Sequence, residues 1–342
     1  MALELVVVAP YKLEFREYKE PPLAENQIRV RSEFSSAKHG TERGFYRGTG
    51  ALVHGSMNED NIYIPDKAGK RIYPYLLGNM TVGTIIEVGL KVKRWREGDR
   101  VFFYGGFRET HTIPEEEAWP LYPGMAPESA VYLDPAKYAF GGINSAQVSL
   151  GYRVAVFGLG AIGQMAVQMA KLSGAMEIYG VDNYQLRRQA ALKYGATEVI
   201  DPSGCDTGRL IKEKTGGVGV DVAIEASGAV AGLHHAIRGT MRGGKIVTVG
   251  LYEGGATDLR LAEDWHRNQQ VMIASQGPNF PSHNHPYWAG PRFTETVIEL
   301  LRRGWLKTEG LVLPVVPFLE ADKAYQEVEE HPEETIKLGV RY

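Results

Sequence analysis

The sequence has almost no cysteine. Cys205 is the only one among 342 residues, so an intramolecular disulfide and a cysteine-based zinc site are both excluded. It lies in the turn-like stretch PSGCDTG, where we expect an unreactive thiol on a surface loop.

An excess of charge and long apolar runs are also missing. The chain carries 38 Lys and Arg against 41 Asp and Glu, which supplies no basic field for a phosphate backbone, so we expect no nucleic-acid partner. No apolar run reaches the roughly 18 residues of a membrane helix. The first twenty residues contain a short strand followed by alternating charge, which predicts no signal peptide. These absences predict a cytoplasmic protein without a membrane partner.

What is present is an ordinary globular composition on a long chain. Hydrophobic residues make up 44% and charged residues 23%, values that exclude a disordered or fibrous class. At about 100 to 200 residues per domain, the length predicts two domains. Near residue 150 the pattern of apolar residues changes from short runs bounded by glycine and proline to apolar runs separated by helical segments. We place the domain boundary there.

Residues 1–149 predict a β-rich domain. Short runs bounded by glycine and proline at 27–34, 82–89 and 100–105 are typical of strands. The segment 47–78 shows no helical period and predicts a long loop, and loops of that length in compact domains are often functional.

Residues 150–280 predict an α/β domain with a doubly wound parallel sheet. Apolar runs without alternation, such as RVAVFG and EIYGVD, are separated by helical segments, as a sheet buried on both faces requires. In the remaining residues, 281–342, amphipathic helices are predicted at 292–304 and 320–332, on either side of an apolar strand, LVLPVV.

A phosphate-binding turn opens the second domain. The stretch VAVFGLGAIG places Gly158, Gly160 and Gly163 between a strand and a helix, and this context makes the G-x-G-x-x-G pattern specific. Gly158 permits the tight turn, Gly160 lets a pyrophosphate approach the backbone, and Gly163 lets the helix pack on the strand. Ala161 and Ile162 open the helix, whose N-terminus would hold the phosphates.

An acidic residue at the end of the next strand predicts the cofactor. Asp182 ends EIYGVD, and a carboxylate there accepts from both ribose hydroxyls of NAD and repels the 2′-phosphate of NADP. Arg187 and Arg188 could accommodate a phosphate, but solvation on a surface helix is the favoured explanation for both side chains. A nucleotide-free domain and a flavin or nucleotide-sugar site are the alternatives. The sequence therefore predicts NAD.

With these motifs the chain resembles the medium-chain dehydrogenases/reductases of the zinc alcohol dehydrogenase superfamily. GDRV (98–101), GVDVAIEASG (219–228) and RGGKIVTVG (242–250) follow that family's order around the fingerprint. The resemblance implies a GroES-like catalytic domain and a Rossmann domain, a C-terminal return to the catalytic domain, and an active site in the cleft facing the nicotinamide. It also implies cofactor contacts from Ser227 and Gly250 and a homodimer or homotetramer.

The residues at the family's metal positions predict a zinc-independent member. Zinc-dependent members have Cys-Gly-Thr/Ser-Asp where this sequence has HGTE at 39–42, and Asn79 and Met80 replace the His and Glu of a Gly-His-Glu motif. The segment after GDRV also lacks the four-cysteine lobe of the structural zinc. A catalytic zinc takes three ligands from protein, and this set does not supply them. A similar Gly-Thr-Glu segment occurs in the bacteriochlorophyllide dehydrogenase-like branch, which the chain resembles.

Without a Lewis acid, the alcohol proton needs a side chain as its acceptor. His39 is the first candidate, because histidine titrates near neutrality; a hydrogen-bonded turn histidine is the alternative. The resemblance implies that Thr41 relays the proton or contacts the nicotinamide ribose, and that Glu42 orients His39 or Arg43. Lys38 is a weaker candidate for the base.

Candidate substrate contacts surround this segment. Tyr46 and Tyr75 border the long loop, Asn79 occupies the vacated ligand position, and His283 lies in the polar and aromatic loop NFPSHNHPYWAG. Packing or solvation is the alternative for each. His111 is expected on a strand rather than in the site.

These residues predict an NAD-dependent, zinc-independent dehydrogenase that oxidises a secondary alcohol of a polyol, sugar or cyclitol-like substrate. A zinc-free quinone or enone reductase is the second possibility, although such enzymes mostly use NADPH, which Asp182 disfavours. A non-catalytic dinucleotide-binding protein is the third.

Overall fold

The computed structural model describes residues 2–66, 72–253, 255–277, 288 and 290–342. The chain divides into two compact units. The first contains Met1–Val131, Val312–His331 and Lys337–Tyr342, and the second contains Tyr132–Leu311 and Pro332–Ile336. The division lies after residue 131, not after 149, because the helix over Leu133–Ala146 packs on the helices and strands of the second unit.

The first unit begins with antiparallel strands and short helices. In chain order its elements are β1 (Ala2–Ala9), β2 (Lys12–Tyr18), β3 (Gln27–Ser36), α1 (His39–Arg47), α2 (Ala51–His54), β4 (Gly55–Met57), β5 (Tyr63–Pro65), β6 (Tyr75–Leu76), β7 (Met80–Val88), β8 (Arg100–Tyr104), β9 (Thr110–Pro114), β10 (Trp119–Pro120) and α3 (Pro127–Ala130). The three predicted strands are confirmed as β3, β7 and β8.

The second unit alternates helices and strands. In chain order it contains α4 (Leu133–Ala146), β11 (Arg153–Phe157), α5 (Ala161–Leu172), β12 (Glu177–Val181), α6 (Gln185–Tyr194), β13 (Glu198–Ile200), α7 (Thr207–Lys214), β14 (Val220–Glu225), α8 (Val230–Gly239), β15 (Thr240–Thr248), β16 (Val271–Ala274) and α9 (Gly290–Arg302). The chain then returns to the first unit with β17 (Val315–Pro317), α10 (Ala321–Glu330) and β18 (Gly339–Arg341).

The strands of the second unit form a parallel sheet in the order β13-β12-β11-β14-β15-β16. This is the Rossmann order, in which the direction of winding reverses between the first and fourth strands, here β11 and β14. Buried apolar residues of β11, β12, β14 and β15 form its core. The predicted α/β fold class is confirmed.

The main sheet of the first unit has the strand order β10-β8-β7-β3-β18-β17, with β9 also paired to β3. Its last strand in sequence, β18, lies antiparallel to β3, so residues from both ends of the chain share one sheet. Two smaller sheets accompany it, one with the order β2-β1-β6 and one formed by β4 and β5.

Two local predictions differ from the structure. The segment 47–78 is not one long loop: α2, the β4–β5 hairpin and β6 lie within it. These elements are too short to show a period in the sequence. In LVLPVV the strand begins only at Val315, because Pro314 has no N–H to donate to a ladder. The helices predicted on either side are confirmed as α9 and α10. Within the described ranges no helix is long and apolar enough to cross a membrane.

Candidate active site

The three glycines of the predicted phosphate-binding turn differ in what surrounds them. Gly158 has φ +85°, and an added Cβ would lie 2.6 Å from the backbone N of Ser227. A Cβ on Gly163 would lie 1.9 Å from the carbonyl oxygen of Gly158. A Cβ on Gly160 meets nothing within 4 Å. Gly158 and Gly163 are therefore required by the fold, whereas Gly160 leaves open space for a ligand.

The helix after this turn begins where the sequence predicts. Gly160 is the N-cap residue of α5, and Ala161 and Ile162 form its first turn. Glycine has no side chain to cap the helix, so backbone N–H groups and the positive end of the dipole face outward. Gln164, which sequence reasoning missed, is fully buried, and its Nε2 donates to the carbonyls of Leu159 (2.9 Å) and Arg187 (2.8 Å).

Asp182 lies just after β12 and beside the turn. Its side chain is buried, and its two oxygens accept the backbone N–H groups of Leu159 (2.7 Å) and Tyr184 (2.9 Å). These bonds fix the carboxylate, and each oxygen retains a lone pair for a further donor. The carboxylate is therefore held in place beside the glycine turn with acceptor capacity left for a ligand.

Arg187 and Arg188 make specific contacts with the protein. Arg187 donates to the carbonyls of Thr335 and Pro332, both at 2.9 Å, and its Nη1 lies 4.0 Å from Asp182 Oδ2. Arg188 donates to the carbonyl of Asp182 at 2.7 Å. Neither arginine is therefore a merely solvated surface residue. Arg187 holds the short C-terminal segment that belongs to the second unit.

Ser227 and Gly250, the remaining predicted cofactor residues, follow β14 and β15. Both lie at the carboxyl edge of the sheet, as Gly158 does. The two loops meet at Glu225, a buried carboxylate at the end of β14 that sequence reasoning also missed. An acidic residue directly after the apolar run VAI at 222–224 was the available signal.

In the first unit, HGTERGFYR forms helix α1 and not a turn. Lys38 is its N-cap residue, and Gly48 ends it with φ +72°. His39 and Glu42 are three residues apart in this helix and therefore neighbours on one face. Thr41, half-buried, donates its backbone N–H to the carbonyl of Lys38 at 3.1 Å.

Glu42 is the most buried of the predicted catalytic residues, with 1% of its surface exposed. Its Oε1 accepts the backbone N–H groups of Lys38 (3.0 Å) and Gly78 (3.1 Å). Burial raises the pKa of Glu42 to about 7, although the Lys337 charge acts in the opposite direction. The carboxyl group therefore ties the start of α1 to the segment that carries Asn79.

Aromatic rings pack around this part of the unit. The Tyr325 ring, on α10, lies edge-to-face with His39 at 6.0 Å and with Tyr46 at 5.3 Å. Tyr75 stacks on Phe45 at 4.1 Å. Burial raises the pKa of both Tyr75 and Tyr325. Tyr46 is almost fully buried in the core of the unit, which supports a packing role.

Some buried polar atoms of the first unit have no hydrogen-bond partner among the described residues. Asn79 Nδ2, Glu42 Oε2 and Tyr325 Oη are buried and have no hydrogen-bond partner among the residues that the structure describes. The three atoms offer a donor, an acceptor and a hydroxyl. His283 lies outside the described residues, so its predicted substrate contact stays a prediction.

The donor set does not fit a catalytic zinc. In the described parts of the chain, no group of three or more His, Cys, Asp or Glu side chains could hold a metal ion. Glu42 Oε1 already accepts two N–H groups, and an amide and a thioether occupy positions 79 and 80. A catalytic zinc needs three protein ligands, so no step below passes through a metal.

His111 is a structural residue. It lies on β9, as predicted, with its ring 5.0 Å from that of Phe103. Burial lowers the pKa of His111 to about 3, so the ring is neutral across the physiological range.

Comparison with known proteins agrees with this architecture. Residues 161–285 match the family described as zinc-binding dehydrogenase. The D-guloside 3-dehydrogenase of Escherichia coli (strain K12) is 37% identical over 348 aligned positions, covering 99% of each chain. The (R,R)-butanediol dehydrogenase of Bacillus subtilis (strain 168) is 32% identical over 54% of this chain and 60% of its own.

Solved structures share the fold. The crystal structure of 2R,3R-butanediol dehydrogenase from Bacillus subtilis superimposes with a TM-score of 0.81 at 22% identity and covers 100% of both chains. A galactitol-1-phosphate dehydrogenase from Escherichia coli gives a TM-score of 0.79 at 18% identity, covering 99% of this chain and 100% of that one. With its Rossmann unit, its turn of three glycines and a relative that matches along the whole chain, this protein belongs to the medium-chain zinc-binding dehydrogenase superfamily.

Proposed function

We propose that this protein is an NAD-dependent, zinc-independent dehydrogenase that oxidises a secondary alcohol of a polyol, sugar or cyclitol-like substrate. The observation that carries the proposal is a set of buried polar atoms of the first unit that lack hydrogen-bond partners among the described residues, namely Asn79 Nδ2, Glu42 Oε2 and Tyr325 Oη. The whole-length similarity to a D-guloside 3-dehydrogenase supports the same substrate class.

The substrate class follows from hydrogen-bonding demand. Leaving a buried polar atom unpaired costs about 1 to 3 kcal/mol, so a ligand that pairs with several such atoms binds well. A molecule with neighbouring hydroxyl groups both donates and accepts at each group. It can give a hydrogen bond to Glu42 Oε2 and take one from Asn79 Nδ2. A simple aliphatic alcohol has a single hydroxyl group and therefore offers fewer hydrogen bonds than a polyol or sugar does.

Oxidation removes a hydride from the carbinol carbon and a proton from the hydroxyl group. Bound NAD supplies the hydride acceptor, C4 of its nicotinamide ring. We assign the proton to His39, with Thr41 as the relay between the substrate hydroxyl and the imidazole. Glu42 lies on the same face of α1 and, when ionised, stabilises the protonated ring. This division of roles needs no metal.

The second unit carries the features expected of the dinucleotide site. The glycine turn and the start of α5 would hold the pyrophosphate, and Asp182 would accept from the adenosine ribose. The fixed carboxylate of Asp182 supports NAD over NADP, because it would repel a 2′-phosphate. The carbonyl contacts of Arg187 and Arg188 agree with this, since they already occupy N–H groups of both guanidinium groups.

The test is turnover of the purified, metal-analysed protein with polyols, glycosides and enones, using NAD(H) and NADP(H), before and after chelator treatment. We expect NADH formation from a polyol or glycoside and no loss of rate with chelator. Chelator-sensitive turnover with bound zinc would contradict the zinc-independent mechanism. NADPH consumption with enones alone would favour a reductase, and tight NADH binding without any turnover would favour a non-catalytic protein.

A further inference from the structure

A buried carboxylate lies at the carboxyl edge of the parallel sheet. Glu225 is the last residue of β14 and is 0% exposed. Strand β14 adjoins β11 where the winding direction reverses, and ligands of doubly wound sheets bind outside the strand ends at that point. A charged side chain placed there without solvent must have a set of partners.

Four donors among the described residues bind this carboxylate. Oε1 accepts from Ser227 N at 2.9 Å and from Ser227 Oγ. Oε2 accepts from Gly228 N at 3.2 Å and from the hydroxyl of Tyr252. Burial raises the pKa of Glu225, whereas these hydrogen bonds act in the opposite direction and favour the ionised carboxylate.

The same residue joins two loops. Ser227 and Gly228 belong to the loop that follows β14, whereas Tyr252 belongs to the loop that follows β15. The backbone carbonyl of Glu225 also accepts from Val249 N (2.8 Å) and Gly250 N (3.1 Å). Glu225 therefore sets the separation of these loops through both its side chain and its backbone.

The loops after β11, β14 and β15 are packed too closely for a Cβ atom at Gly158 or Gly250. A Cβ on Gly250 would lie 2.4 Å from Gly228 N, and one on Gly158 would lie 2.6 Å from Ser227 N. The loops after β11, β14 and β15 thus meet backbone to backbone. A displacement of the loop that contains Tyr252 would therefore also displace the loop after β14, which contacts the glycine turn.

The position of Glu225 identifies which part of a dinucleotide it serves. A Rossmann sheet consists of two mononucleotide-binding halves. The half made of β11, β12 and β13 carries the glycine turn and Asp182, which are the adenosine side. The half made of β14, β15 and β16 therefore faces the second mononucleotide, and it contains Glu225.

We propose that Glu225 is a positioning residue for the nicotinamide ring of the cofactor, holding the loops after β14 and β15 together through Ser227 and Tyr252. The inference rests on the proposed use of NAD. This positioning role differs from a general role in stability, because it affects binding of the nicotinamide ring and not binding of the adenosine end.

A matched pair of the same chemistry lies at the opposite edge of the sheet. The hydroxyl of Tyr179 donates to Glu177 Oε2 at 2.9 Å, and Glu177 begins β12. Loss of this pair removes a tyrosine–carboxylate contact away from the ligand-binding edge. Glu177→Gln and Tyr179→Phe are therefore the controls for Glu225→Gln and Tyr252→Phe.

The experiment compares the affinity of each variant for NADH and for ADP-ribose, which lacks only the nicotinamide. Glu225→Gln replaces an acceptor oxygen with an N–H₂ group facing donors, so NADH should bind about ten-fold more weakly or worse. ADP-ribose affinity should stay within about two-fold, which also shows that the adenosine half is folded. Tyr252→Phe should likewise lower the affinity for NADH relative to the affinity for ADP-ribose. Neither control variant should change this ratio of affinities.

Equal weakening of both ligands in Tyr252→Phe and Glu225→Gln would show a merely structural role and overturn the inference. Unchanged NADH affinity in both variants would also overturn it. If Glu225→Gln does not fold, Tyr252→Phe alone decides, because it retains the carboxylate. Failure of the wild-type protein to bind NADH would instead overturn the proposed function, and this inference with it.

Discussion

At the scale of single residues, the proposed chemistry depends on how α1 presents His39 and Glu42. Helical spacing puts both side chains on one face, and Gly78 and Lys38 hold one oxygen of Glu42 through their backbone N–H groups. The remaining oxygen is available to a ligand or a proton. We therefore propose separate tasks for the two side chains, proton transfer for His39 and electrostatic support for Glu42.

Replacing His39 tests the first task. His39→Ala should lower kcat by about 100-fold or more, because a positioned general base contributes about that factor. NADH affinity should stay within about two-fold, since the cofactor is assigned to the other unit. His54→Ala, an exposed histidine on α2, is the control and should retain full activity. Turnover of His39→Ala at the wild-type rate would show that another group accepts the proton.

Replacing Glu42 tests the consequence of its burial. The pKa of Glu42 rises from 4.5 to about 7 on folding, so the folded chain binds this proton more tightly than the unfolded chain does. Its contribution to stability is therefore complete below the unfolded pKa and is lost as pH rises through the folded pKa. Relative to Glu42→Gln, the wild-type protein should lose up to about 3 kcal/mol of unfolding free energy across that window.

Urea unfolding at closely spaced pH values between these two pKa values measures the difference. Gln retains an oxygen for the N–H groups of Lys38 and Gly78, which makes it a conservative change. The exposed Glu116→Gln should follow the wild-type curve. Parallel stability curves for the wild-type protein and Glu42→Gln would rule out the raised pKa.

At the scale of elements, the glycines of the phosphate-binding turn differ in role: Gly163 is required for folding, whereas Gly160 is expected to matter for ligand binding. Gly163→Ala would force a Cβ to 1.9 Å from a carbonyl oxygen, whereas Gly160→Ala would place one in open space. We expect Gly163→Ala to lose thermal stability. Gly160→Ala should unfold at nearly the wild-type temperature yet bind NADH about ten-fold more weakly or worse, since its methyl group faces the phosphates.

Thermal unfolding together with NADH titration distinguishes the two glycine variants. Ala adopts the backbone angles of Gly160 (φ −68°) without strain. Normal NADH binding by Gly160→Ala would place the pyrophosphate elsewhere. Normal stability of Gly163→Ala would mean that the helix moves away from the turn at little cost.

Elements also differ in how well the sequence predicts them. The strands of the parallel sheet are continuous apolar runs, so their positions follow from the residues alone. In α1, the sequence HGTERGFYR contains two glycines and few apolar residues, so the residues alone leave a turn open as the alternative at His39. Its helical state depends on Tyr46 packing in the core and on Glu42 bonding to Gly78, a residue distant in sequence.

At the scale of the whole molecule, both units are assembled from segments that are not contiguous in sequence. The strand β18 completes the sheet of the first unit beside β3, and Lys337 Nζ donates to the carbonyl of Ala37 at 2.6 Å. The neighbouring residues 332–336 instead join the second unit, where Arg187 binds two of their carbonyls. A single boundary in the sequence cannot describe this arrangement.

The sequence by itself determined the α/β class, the Rossmann strand pattern, the glycine turn with Asp182 and the absence of a cysteine ligand set. These features are local: each depends on residue types at short, fixed spacings, and backbone sterics restrict what such spacings can form. The family resemblance carried by these motifs agrees with the whole-length relative.

Only the tertiary structure decided which residues meet across long separations. Glu42 with Gly78 and Lys337, Tyr325 with His39, and Glu225 with Tyr252 are brought together by sheet pairing and helix packing. Burial then changes their chemistry, because the removal of water destabilises a charged group and strengthens each hydrogen bond that remains. Proximity and burial are properties of the folded chain, and no short stretch of sequence contains them.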